Sequence, residues 1–228
     1  LHDALPISKC GSADVLEALG VNVNLTPEKV ASLVDDIGIA FMFAPNFHPA
    51  MRYAAPVRKK LGVRTIFNVL GPLANPASAT HQVLGVYDAS LTETMAEVLS
   101  QLGSEHVMVV YGEDGMDEIS ISSETRISEL KNKSITTFTI KPTDFGLNMA
   151  DLKTIQVENV DASKAMMLDV LEGHQGPHRD ITLLNAGAAI YVSGLASTLK
   201  EGIEKAALVI NQGLALKKLE ALKAASHG

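Results

Sequence analysis

With 228 residues, 46% of them hydrophobic and 20% charged, the chain has ordinary globular composition and enough length for a sizeable core, which argues against a disordered protein. A formal charge of −7, with Lys and Arg scattered rather than clustered, leaves no basic stripe to neutralise a nucleic-acid backbone, so a nucleic-acid partner is not expected. One cysteine, Cys10, excludes an internal disulfide framework, and no apolar run reaches the roughly 18–20 residues that cross a bilayer, so the expected setting is the reducing cytoplasm, away from membranes.

Helical and strand patterns alternate along the chain, which predicts an α/β fold with a mostly parallel or mixed sheet flanked by helices. In "GSADVLEALG" the residues Val15, Leu16 and Leu19 share one helical face, with Ser12 at its start and Gly20 at its stop. "LTPEKVASLVDDIG" reads as a second helix, with Thr26 as N-cap, Pro27 in the first turn and Gly38 past the end. "IAFMFAP" and "RTIFNVL" read as strands on either side of a helix over 48–61, bent at Pro56. "HQVLGVYD", "LTETMAEVLSQLG" and "HVMVVYGE" form a βαβ unit, and "DEISISSETRISELKNKSITTFTIKP" predicts strands with a wetter face and a turn near Lys131 to Lys133. A long irregular connection follows. From Asp161 onward the pattern is helical, and the last helix is interrupted at Gly213.

The densest chemistry lies in "GEDGMDEIS", where four carboxylates fall between Glu113 and Glu118 just beyond an apolar strand. Ligands of parallel α/β sheets sit beyond the carboxyl ends of strands, and Asp117 with Glu118 offers hard oxygen donors for Mg²⁺ shared with substrate phosphates. Gly, Asp and Glu equally suit a plain turn. Arg58 can fork a carboxylate or simply end a solvated helix, and His48 can cap a helix or line a site. Gly11 and Ser12 precede a helix, where free N–H groups attract phosphate or Ser12 merely caps. "NVLGPLANPA" predicts a rigid loop, and the small residues of "GPHRDITLLNAGAAIYVSG" predict close packing in the core.

"GSADVLEALGVN", "FAPNFHPAMRYAAPVRKKLGVRTIFNVLGPLANPA", "GMDEIS" and "GPHRDITLLNAGAAIYVSG", in this order and spacing from Lys9 to Ser226, resemble the anthranilate phosphoribosyltransferases of tryptophan biosynthesis. The resemblance implies a nucleoside phosphorylase/phosphoribosyltransferase-like α/β domain and a small helical one, usually paired in a homodimer. It implies a pentosyltransferase that moves phosphoribosyl from phosphoribosyl pyrophosphate to anthranilate with Mg²⁺. On this resemblance Asp117 and Glu118 hold the metal, Arg58, His48 and Pro45 meet anthranilate, and Ser12, Gly11 and Ser8 meet phosphoribosyl pyrophosphate. No catalytic residue is assigned.

The family's "GTGGDG" and "KHGNR" motifs are not in the sequence, and "LHDALPIS" does not resemble the family. Residues 1–8 are thus expected to be a foreign or artefactual leader, 9–39 a remnant of the helical domain and hinge, and 40–228 the α/β domain, with the helix at 48–61 packing on the helical part. An N-terminally truncated and inactive chain is the expectation. The alternatives are a pyrimidine nucleoside phosphorylase-like enzyme, which needs no such metal pair, and a non-catalytic nucleic-acid-binding relative, which needs a basic surface that a pI near 5.5 does not suggest.

Overall fold

The structure, a computed structural model, describes residues 11–48, 53 and 67–228. In chain order its elements are α1 (Ser12–Ala18), α2 (Pro27–Ile37), α3 (Ala44–Phe47), α4 (Phe67–Leu73), β1 (His81–Gly85), α5 (Leu91–Gln101), β2 (His106–Gly112), β3 (Thr125–Lys131) and β4 (Ser134–Ile140). Then follow α6 (Val160–Leu171), α7 (Pro177–Val192), α8 (Leu199–Asn211) and α9 (Leu214–His227). The sheet is mixed, in the order β1-β2-β3-β4, with β1 and β2 parallel and the other neighbours antiparallel. The βαβ unit expected from the alternation is therefore present, with α5 as its crossover.

β2 is one of two inner strands on which both faces of the fold are built, and its alternation shows how. Val107 and Val109 point to a cluster with Leu84, Met95, Ala96 and Leu99, which is the α5 side. Met108 and Val110 point the other way, to Leu183, Leu184 and Ala188 of α7. A two-residue period thus serves two cores at once, which is why the strand is apolar throughout. β4 carries the wet face: it is largely exposed, and the hairpin joining it to β3 turns at Asn132 and Lys133, both at positive φ as a tight two-residue turn requires.

A third cluster joins Val15, Leu19, Val21, Val23, Val30 and Leu33 to Leu219 and Leu222 of α9. α2 has the expected punctuation: Thr26 Oγ1 accepts from the Lys29 amide at 3.3 Å, and Gly38 closes the helix at φ 75°. Leu33, 1% exposed, sits at the middle of this cluster. Leu33→Ala is expected to cost about 2–5 kcal/mol through lost burial and an unfilled cavity, read as a lower denaturant midpoint with unchanged slope.

Three local expectations are corrected. Residues 40–43 form no strand and 44–47 are a short helix; Pro45 lacks the N–H a ladder needs but suits a first helical turn, and Phe41, Met42 and Phe47 pack on the third cluster. Where "RTIFNVL" is described, from Phe67, it is helical and Pro72 lies inside α4, so the rigid loop begins only after Leu73, with Ser78 at φ 49°. The N-cap of α1 is Gly11, in extended conformation, and Ser12 is the first helical residue; Asp14 Oδ2 accepts the Gly11 amide at 2.8 Å, the bond a capping serine would otherwise supply in reverse.

α7 and α8 approach closely. A Cβ on Gly202 would stand 2.2 Å from the Gly187 carbonyl oxygen, and one on Gly187 would stand 2.7 Å from the Ile203 backbone. The small residues of "NAGAA" are thus packing residues, as their composition predicts. At the other end of this helix pair Arg179, 6% exposed, donates to Gln175 Oε1 at 3.2 Å and Asn211 Oδ1 at 3.0 Å. Asn211 ends α8, so the buried guanidinium stands at the negative end of that helix, which offsets part of its desolvation. Among the described residues its Nε has no hydrogen-bond partner.

Candidate active site

The acidic loop leaves the end of β2 and folds back over the end of β1. Gly85, the last residue of β1, lies directly under Asp117: a Cβ there would fall 1.6 Å from the Asp117 carbonyl oxygen. Gly112 is crowded too, though by a side chain: Asp114 Oδ1 lies 2.6 Å from where its Cβ would be. Two strand-end glycines therefore let the loop settle onto the sheet, a use of glycine that depends on close approach rather than on torsion.

Asp114 organises this loop. Its side chain accepts from the Met116 amide at 3.2 Å and from the hydroxyls of Ser120 and Ser122. Ser120 N in turn donates to Thr125 Oγ1 at 3.0 Å, and Glu113 N to the Glu124 carbonyl at 2.9 Å. Met116, Ile119 and Ile121 are buried, so the loop is anchored apolar side down and presents Asp117 and Glu118 on its exposed side. Glycine at 115, with φ 94°, makes the turn, and the hydrogen bonds around it hold the turn in place instead of leaving it flexible.

Glu118 borders a cleft of about 420 Å³ whose walls are Ile155 and Val157, Met166, Met167, Val170 and Leu171 of α6, and His178, Ile181 and Thr182 of α7. It keeps solvent-accessible surface, yet these walls crowd it and lift its carboxyl above the usual carboxylate range; the negative charge of Asp117 lifts it further. More negative charge surrounds the strand end: burial raises the Tyr111 phenol, and Glu113, Asp88 and Asp114 add to the rise. Such a site gains most from a bound cation, which relieves both the desolvation and the repulsion. Among the described residues no three metal-ligating side chains converge; the two carboxylates offer the hard oxygen donors that suit Mg²⁺.

The far wall of the cleft is fixed by histidines. His178 Nε2 lies 2.5 Å from Asp169 Oδ2, and His174 Nδ1 lies 2.8 Å from Asp169 Oδ1, which ties the end of α6 to the start of α7. α1 packs on α6, with Lys164 Nζ donating to the Ala18 carbonyl at 2.7 Å.

Of the residues singled out from sequence, Asp117 and Glu118 are both exposed on the loop beyond β2. Gly11 and Ser12 are exposed at the start of α1, and no hydrogen bond among the described residues joins them to the acidic pair. Pro45 is exposed within α3, and His48, partly buried, is the C-cap of α3. Arg58 and Ser8 lie outside the described residues, as does most of the helix expected at 48–61. Sequence reading missed Asp114 and Asn185. Asp114 is the second acid after the strand's last glycine and precedes a Ser-rich run, a weak signal for a self-bonded turn; Asn185 looked like core.

A mixed α/β domain that carries two adjacent carboxylates beyond its strand ends belongs to the class of α/β proteins whose ligands sit at that edge of the sheet. The chain belongs to the glycosyl transferase family, a/b domain, whose profile matches residues 7–216. The anthranilate phosphoribosyltransferase of Methylobacillus flagellatus is 57% identical over 220 residues, 96% of this chain and 64% of that protein. That of Nitrosomonas europaea is 53% identical over 214 residues, 94% of this chain and 63% of that protein. The chain thus spans a little under two thirds of the length of these curated relatives. Among solved structures, anthranilate phosphoribosyltransferase from Thermus thermophilus aligns with TM-score 0.89 and 39% identity over 97% of this chain and 67% of that one. The Saccharomyces cerevisiae enzyme in complex with PRPP and Mg aligns with TM-score 0.87 and 32% identity over 95% and 63%.

Proposed function

We propose that the chain is the sugar-handling α/β part of an anthranilate phosphoribosyltransferase, an enzyme that joins anthranilate to the ribose carbon of phosphoribosyl pyrophosphate and releases pyrophosphate. The observation that carries this reading is the Asp117–Glu118 pair, held on a loop pinned between Gly85 and Asn185, in a chain so similar to enzymes of that name. Support for the ligands comes from the yeast relative's complexes with PRPP and Mg and with 4-fluoroanthranilate. Asp117 and Glu118 would hold Mg²⁺, which when bound supplies charge neutralisation for the departing diphosphate. The amine of anthranilate is nucleophilic while neutral, so this reading asks the protein for position and for stabilisation of the leaving group more than for a strong base. Arg58, His48 and Pro45 would face the aromatic acid, and Gly11, Ser12 and Ser8 the phosphates. A homodimer in the cytoplasm completes the reading.

Mn²⁺ titrated into the 228-residue chain in the presence of pyrophosphate, followed by water-proton relaxation, tests it. The unaltered chain is expected to bind, and Asp117→Asn with Glu118→Gln to weaken binding by at least about tenfold while keeping the melting temperature, since each substitution preserves shape and removes only a charged oxygen donor. Equal binding by both proteins would defeat the reading.

A further inference from the structure

We infer that Asn185 is a positioning residue for the acidic pair, acting through the backbone of Ile119; this rests on the metal-binding reading of Asp117 and Glu118. Asn185 lies in the middle of α7, one turn beyond Ile181, and its amide makes a two-way clamp. Its Oδ1 accepts the Ile119 amide at 2.9 Å, and its Nδ2 donates to the Ile119 carbonyl at 2.9 Å. A second donation from Nδ2 to the Ile181 carbonyl, at 3.0 Å, fixes the side chain against its own helix and sets which end of the amide faces which group.

The clamp holds the residue directly after Glu118 in chain order, and Gly85 seats the Asp117 carbonyl from the opposite side. The peptide run Asp117-Glu118-Ile119 is therefore gripped between a strand end and a helix. Two adjacent carboxylates repel one another, and Glu118 borders an apolar cleft. A loop with freedom to move would relax by swinging the carboxylates apart into water. The Asn185 bonds oppose that motion, so the donors remain aimed together before any cation arrives, which is how supporting residues raise affinity in oxygen-ligand sites. A merely structural asparagine would cap a helix or fill a turn. This one spends all three bonds of its amide on one loop peptide and its own helix, 66 residues away in sequence from the loop it holds.

The test uses Mn²⁺ with pyrophosphate as the probe on the full chain. Asn185→Leu keeps the branching at Cγ in a somewhat bulkier side chain and removes the clamp, and Asn185→Ala is the fallback should leucine prevent folding. Either folded variant is expected to bind Mn²⁺ about tenfold more weakly than the unaltered chain, in the range found when supporting partners of metal ligands are removed. Leu33→Ala, which lowers stability from a different core, is expected to leave the affinity unchanged and so separates positioning from stability. In the unaltered chain the Ile119 amide is expected to exchange slowly with solvent deuterium. Mn²⁺ affinity within twofold of the unaltered chain in a folded Asn185 variant, or rapid exchange of the Ile119 amide, overturns the inference alone. An unaltered chain that binds no Mn²⁺ defeats the metal reading and the inference with it.

Discussion

Gly85→Ala is expected to abolish Mn²⁺ and pyrophosphate binding and to lower stability by several kcal/mol. The added methyl carbon would lie 1.6 Å from the Asp117 carbonyl oxygen and 2.6 Å from its carbonyl carbon, and the obstacle is backbone, which no change of side-chain rotamer can move aside. Either β1 must shift or the loop must lift. β1 is held along its length by a parallel ladder to β2, from His81 opposite His106 to Gly85 opposite Val110. The loop is the softer of the two, but lifting it breaks the Asn185 bonds to Ile119 and unseats the buried Met116 and Ile119. Overpacking of this kind typically costs about 1–3 kcal/mol, and the loss of two bonds made to buried groups adds about 1–3 kcal/mol more. Calorimetric melting and the relaxation titration read the two consequences separately. A Gly85→Ala chain with unchanged melting temperature and unchanged affinity would show that the loop is not seated on β1.

What could be read in advance separates along one physical line. Local signals were legible: Thr26, Pro27 and Gly38 bound a helix because capping chemistry acts within one turn, and Gly213 breaks the last helix for the same reason. The two-sided apolar run of β2 and the wetter run of β4 were legible because strand burial follows a two-residue period. The run 39–45 was not, since a short apolar stretch with a proline is the same in sequence whether it joins a ladder or packs as irregular chain on a helical cluster; only its neighbours decide. At the site, Asp117 and Glu118 stood out by type and position. Asp114 and Asn185 did not, because the first bonds within its own loop in a pattern with many sequence equivalents, and the second acts over a separation that no local pattern records. Gly85 likewise looks in sequence like any glycine at a strand end, and its importance comes from the other segment that lies on it.

The second large effect is expected at the contact between α7 and α8. Gly202→Ala would bring a methyl carbon to 2.2 Å from the Gly187 carbonyl oxygen and 3.1 Å from its carbonyl carbon. That carbonyl belongs to the middle of α7, where it is fixed by the helix's own hydrogen bonds, so relief requires the two helices to separate. Separation loosens Ile203, Ala206 and Ile210 of α8 from Leu184 and Ala188 of α7, all in the cluster under β2. Arg179 stands at the same interface, and its bond to Asn211 is the one that gives the buried guanidinium contact with the negative end of α8. Moving α8 away therefore removes apolar contact and strands a buried charge in one step, and these costs reinforce one another because both depend on the same spacing. A loss of about 3–5 kcal/mol is expected, equivalent to a fall in melting temperature of roughly 6–20 °C for a chain of this size. Arg179→Leu combined with Gly202→Ala discriminates the two parts: with the charge replaced by an apolar side chain, the double variant is expected to be more stable than the sum of the single changes. Strict additivity would mean that the guanidinium is indifferent to the position of α8.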